Sequence, residues 1–177
     1  SQQRAAAAME KGYFKEEIMP VEVKYTKKGE PVIVDTDEHP RANTTLEGLA
    51  KLRPVNAGGV TTAGNASGMN DGAAFVLMMT AEKAKELGYK PMAKWIYGLD
   101  VGVDPKEMGI GPAFSNTKIL NRVGLKMSDV DVYECNEAFA AQNLSVIKEM
   151  ENITGEKMNI SKIPQKSFCT KHFLKMK

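Results

Sequence analysis

Apolar and polar positions follow two different periods along this chain, and the change from one to the other divides it into helices and strands. Residues 1–11 are rich in Ala, Gln and Glu, which favour helix, and Gly12 stops the run. Phe14 and Ile18 continue an apolar stripe as far as Pro20. Residues 20–25 alternate apolar and polar side chains, residues 26–30 turn, and residues 31–34 return, which predicts a hairpin. Thr44 and Thr45 open a short helix with Thr as its cap, and Pro54 closes it by disfavouring a helical residue before it. Residues 75–79 form a short, bounded apolar run that predicts a buried strand. Thr80 then caps a helix over 81–87 with Gly88 at its stop. Residues 92–103, with Trp95, Ile96 and Leu99, read as a strand, and 112–123 as a helix stopped by Gly124. A short strand over 130–133 and an amphipathic helix over 136–150 complete the pattern. Alternating strands and helices predict α/β layers rather than a bundle.

Composition narrows the class without naming a function. At 177 residues there is enough chain for one sizeable domain or parts of two. Hydrophobic content of 42% and charged content of 26% are those of an ordinary globular protein. A net charge of +2 gives no reason to expect nucleic acid or an anionic membrane as partner. No run approaches the ~20 apolar residues that span a bilayer. The start, Ser1-Gln2-Gln3-Arg4, shows neither an initiator Met nor a signal-peptide pattern. Two cysteines, Cys135 and Cys169, are too few for a disulfide framework and suit a reducing, cytoplasmic compartment.

The stretch from Thr62 to Ala74 stands apart. Gly64, Gly68 and Gly72 recur every four residues among Asn65, Ser67, Asn70 and Asp71, types that hydrogen-bond their own backbone. Such a segment brings the backbone close to something. That can be a ligand, or another part of the chain in a corner needed only for packing.

The segment Gly64-Asn65-Ala66-Ser67-Gly68-Met69-Asn70-Asp71-Gly72-Ala73 resembles a signature of the thiolases, the acetyl-CoA acetyltransferases. Further on, Asn136-Glu137-Ala138-Phe139-Ala140 resembles the Asn-Glu-Ala-Phe-Ala motif of the same family. The resemblance runs from about residue 1 to about residue 155 and corresponds to the middle of a thiolase. It implies part of a layered αβαβα fold, incomplete at both ends. Residues 1–60 would end a loop region, 61–90 would be the last strand and helix of the N-terminal half, and 91–157 would open the C-terminal half. Residues 158–177 would be a divergent, disordered tail. The implied activity is acyl transfer between acetyl-CoA molecules, forming or cleaving acetoacetyl-CoA. A coenzyme A thioester is then the substrate, with no prosthetic group, no nucleic-acid or membrane partner, and a homo-oligomer as the assembled state.

Four residues carry the expected chemistry. Asn136, read bare, is an N-cap, with Glu137 at the positive end of the helix dipole. A helix N-terminus also stabilises developing negative charge, and in thiolases the matching Asn holds a water of the oxyanion hole for the thioester oxygen. Phe139, expected one turn into that helix, is a core residue by packing; the resemblance sets its ring against the pantetheine arm or acyl group. Ser67 makes a local turn hydrogen bond in the plain reading and a contact to a pantetheine amide in the family reading. Arg41 is a solvated loop charge in the plain reading; the resemblance places it near the adenine nucleotide, where a guanidinium stacks and pairs with phosphate. His39 is expected on the surface and Cys135 as a structural residue. Cys169 and His172 make no metal site by themselves. Val55 stands in a run, Arg53-Pro54-Val55-Asn56, that departs from the aromatic found in many thiolases near the CoA entrance. Residues 111–116 also depart from the family pattern, which leaves the start of that helix open.

The match breaks near Met158. Thiolase chemistry uses a nucleophilic Cys, a His that activates it and a second Cys as acid/base. Motifs resembling Gly-His-Pro-x-Gly and Cys-x-Gly-Gly-Gly should follow residue 157, and residues 158–177 match neither. A reading-frame shift would produce such a Lys-rich, aperiodic tail. The expectation is an isolated chain that is poorly stable, aggregation-prone and without thiolase turnover. The alternative is a non-catalytic CoA- or lipid-binding module of the same fold.

Overall fold

A short stripe of small side chains anchors the first part of the chain. In the computed structural model, which describes residues 1–24, 29–70 and 75–159, helix α1 (Gln2–Glu10) buries Gln2, Ala5 and Ala8. Their three-residue spacing sets them on one helical face, and Phe14 is buried beyond them. Strands β1 (Val21–Val23) and β2 (Val32–Val34) pair antiparallel, Val21 opposite Val34 and Val23 opposite Val32. The alternation in the sequence is realised as a hairpin, though both strands are exposed; its turn residues 25–28 lie outside the described residues. Helix α2 (Leu46–Ala50) starts where expected: the Thr45 hydroxyl accepts the Gly48 N–H at 3.1 Å.

The chain divides into two units between Gly68 and Met69. In the second, Thr80 caps helix α3 (Ala81–Glu86) by accepting the Lys83 N–H at 3.2 Å. The helix ends at Gly88, whose φ of +73° is open to glycine at little cost, and the Tyr89 N–H closes back onto the Ala84 carbonyl at 2.8 Å. Helix α4 (Gly111–Val123) has Pro112 in its first turn and ends on Gly124 at φ +71°. A 3₁₀ segment, Pro105–Ile110, precedes it, and another, Met127–Asp129, follows. Helix α5 (Ala140–Thr154) packs on α4 around Ala113, Leu120, Met127, Val146 and Met150, with Met150 only 1% exposed. The buried Thr117 hydroxyl of this core is paired, donating to the Ala113 carbonyl at 2.9 Å. The Glu156 carboxylate accepts the backbone N–H groups of Met127 and Ser128 at 3.3 and 3.1 Å.

Four expectations need correction. Residues 75–79, 92–103 and 130–133 form no strand. Phe75 and Leu77 are 90% and 75% exposed, and Trp95 is 67% exposed. A helix closes its hydrogen bonds within itself, whereas a strand exists only when a neighbour supplies the other half of the ladder. Among the described residues no segment pairs with these three. The fourth correction concerns α5, which begins at Ala140 and not at Asn136. Its N-cap is Phe139, because the Gln142 side-chain carbonyl reaches back to accept the Phe139 N–H at 3.3 Å.

Candidate functional site

The first unit holds a cavity of about 440 Å³. Leu49, Leu52 and Ala63 give it an apolar wall, and Gln2, His39, Arg41 and Thr44 a polar one. Gly64 completes the apolar side. A Cβ there would overlap Leu49 Cδ2 and come within 2.6 Å of Leu52 Cδ1, so in this arrangement the two leucine tips occupy the space a side chain would need. Part of the Gly-rich stretch is thus a packing corner, and the same corner faces a cavity.

Asn65 holds that corner. Its side-chain oxygen accepts the Thr62 N–H at 2.7 Å and its amide donates to the Val60 carbonyl at 2.8 Å. The Gly64 N–H is taken by the Thr62 hydroxyl at 3.2 Å. The sequence marked Asn65 only as one of several turn-forming residues in the Gly-rich stretch; that it is the one holding the corner shows in the structure. Ser67, two residues on, is exposed and does not line the cavity.

Arg41 lines the cavity, and its backbone is held on both sides. Its N–H donates to Gln2 Oε1 at 2.7 Å, and its carbonyl accepts the Thr44 N–H at 3.1 Å and the Thr44 hydroxyl at 2.8 Å. His39, expected on the surface, is half-buried in the same wall. Arg41 supplies a positive charge and, among the described residues, no carboxylate lines the space, so it favours an anion with an apolar portion.

In the second unit, Asn136 lies exposed in an irregular segment, four residues before α5. Phe139, three residues later, is 40% exposed and so is not the core residue that packing alone suggested. Cys135 is half-buried against the core, and its thiol is pushed up by burial and then by the carboxylates of Glu134 and Glu137. A thiol held in that state is a poor nucleophile, in keeping with a structural role. Arg41 and Ser67 belong to the first unit, Asn136 and Phe139 to the second. Among the described residues no group of three or more His, Cys, Asp or Glu side chains could hold a metal ion. No helix among them is long and apolar enough to cross a membrane. Cys169 and His172 lie outside the described residues.

Family models for the thiolase N-terminal domain and the thiolase C-terminal domain match residues 1–82 and 89–162. An acetyl-CoA acetyltransferase of Allochromatium vinosum is 51% identical over 151 residues, covering 85% of this chain and 38% of that protein. A β-ketoadipyl-CoA thiolase of Acinetobacter baylyi is 52% identical over 151 residues, covering 85% of this chain and 37% of its own length. Among solved structures, the acetyl-CoA acetyltransferase of Syntrophomonas wolfei superposes with a TM-score of 0.81 at 40% identity, over 94% of this chain and 41% of that one. The dimeric peroxisomal thiolase of Saccharomyces cerevisiae gives 0.78 at 38% identity, over 94% and 40%. The chain therefore spans less than half the length of the proteins it matches.

Proposed function

The chain belongs to the thiolase family and has part of the thiolase-like α/β fold, and from that premise we propose that it contributes a coenzyme A site and an oxyanion contact to acyl transfer between CoA thioesters. The observation that carries this reading is the cavity with Arg41 on one wall and Leu49 and Leu52 on the other. A guanidinium pairs with phosphate oxygens through a planar fork of donors, and the leucines offer an apolar face for the adenine ring. The cavity takes the nucleotide end of the ligand. The names of the relatives include both acetyl and β-ketoadipyl thioesters, so the proposal is placed on the part those substrates share.

The remaining roles follow the family resemblance residue by residue. Asn136 holds the water that donates to the thioester oxygen as it gains negative charge, which lowers the barrier at the point where charge develops. Its exposure, ahead of the helix and not buried as a cap, leaves the amide open for this. Phe139 lies along the pantetheine arm or acyl group, and its ring is accessible for that contact. The Ser67 hydroxyl, also exposed, donates to a pantetheine amide. The roles proposed for these residues are binding and charge stabilisation. A cavity that can bind without reacting also suits one second reading, a CoA-binding module without turnover. Oligomerisation is proposed on the family's account, the yeast relative being dimeric.

Calorimetric titration of the chain with coenzyme A tests the reading. Binding is expected, weakened ~10-fold or more by Arg41→Ala through loss of a charge-assisted contact. Equal affinity in the two proteins would remove Arg41 from the site. Bound acetyl-CoA that is never turned over, even with full-length thiolase partner chains, would favour the second reading.

A further inference from the structure

We propose that Gln2 is a positioning residue: its buried side chain, by accepting the Arg41 N–H, sets the direction from which the Arg41 guanidinium meets an anion in the cavity. This rests on the assignment of the cavity to the nucleotide end of coenzyme A.

Gln2 is 8% exposed, lines the cavity and sits on α1, whose Ala5 and Ala8 fix the helix in the core of its unit. The contact it makes spans 39 residues of sequence and, at 2.7 Å, is short for an N–H···O bond. The other side of the Arg41 peptide is already tied to Thr44 through its carbonyl. With both ends of the residue held, only the side-chain torsions remain free, which is how a rigid element preorganises a functional group. Without Gln2 Oε1 the Arg41 N–H loses its acceptor, and the loop that carries the guanidinium is released on one side. Gln3 provides an internal contrast. It is exposed, and its amide reaches the same loop only at 3.4 Å, on the Thr44 carbonyl.

The test is a cycle of four proteins titrated with coenzyme A: the unaltered chain, Gln2→Met, Arg41→Ala and the double variant. Gln2→Met keeps length and volume and removes the acceptor. It is expected to weaken binding ~10-fold in the unaltered chain and less than ~2-fold when Arg41 is Ala, the coupling that residues acting through one another show. Equal losses in both backgrounds, or no loss in either, overturn the positioning role while leaving the cavity assignment intact. No binding by the unaltered chain overturns both. Hydrogen exchange gives a reading that needs no ligand. The Arg41 amide should be protected in the unaltered chain, exposed in Gln2→Met and protected again in Gln2→Glu, which restores an acceptor; Gln3→Met should leave it protected. An Arg41 amide that exchanges freely in the unaltered chain would overturn the proposal even if Gln2→Met failed to fold.

Discussion

Tyr133 donates its hydroxyl to the Met127 carbonyl at 2.9 Å and so ties the irregular segment ahead of Asn136 to the core between α4 and α5. Burial, with Glu156 and Asp129 nearby, pushes the phenol up to about 12 from its ordinary 10.0. A group that holds its proton more tightly when folded contributes stability fully present below the unfolded value and lost as pH rises through the folded one. The difference in unfolding free energy between the unaltered chain and Tyr133→Phe should therefore be largest below pH 10 and shrink toward pH 12. Its size at neutral pH should be about 1 kcal/mol, the usual worth of one such hydrogen bond. Urea unfolding at a series of pH values measures it; a difference that grows above pH 10 contradicts the assignment.

The raised Cys135 thiol predicts slow chemistry. At pH 7 to 8 its alkylation by iodoacetamide, followed on the peptide that contains it, should run well below that of a free thiol such as glutathione. Equal or faster reaction would mean that the thiolate is favoured there, and would reopen a nucleophilic role for Cys135.

At Gly64 the prediction is steric. An added methyl must displace the tips of both Leu49 and Leu52. These side chains are partly exposed and can swing aside, so the cost should fall at the low end of overpacking, about 1 kcal/mol. Gly64→Ala should lower the midpoint of unfolding and also weaken coenzyme A, since both leucines line the cavity. Unchanged stability and affinity together would show that the corner is looser than its geometry.

Trp95, the single Trp of the sequence, is 67% exposed. Its fluorescence should be red-shifted and readily quenched by acrylamide at low protein concentration. A blue shift that grows with concentration would show the apolar segment around it being covered by other copies, as exposed hydrophobic surface invites.

What was legible in the sequence was what the chain can satisfy by itself. Thr45, Thr80, Gly88 and Gly124 mark helix ends whose hydrogen bonds are local, and the structure uses each of them as a cap or stop. The hairpin at Val21–Val34 was equally local. Residues 75–79 and 92–103 carry strand composition, but a strand is a relation between segments, and no described residue supplies the second half. Asn136 misled for a related reason. Asn is a common cap, yet the side chain that reaches back is Gln142, three residues after the true cap, and that offset was the missed signal. Of the proposed site, Arg41 emerged from the resemblance and lies on the cavity wall. Gln2 emerged only in three dimensions, because its partner lies 39 residues along the chain; Asn65 was visible as a turn former with local bonds, and His39, expected on the surface, is half-buried.

The most direct measurement is the hydrogen-exchange footprint of coenzyme A on the chain. The account predicts slowed exchange in peptides covering residues 39–52 and 62–68, which frame the cavity, and loss of that protection in Arg41→Ala. Protection confined to other regions, or a footprint that Arg41→Ala leaves unchanged, would contradict it.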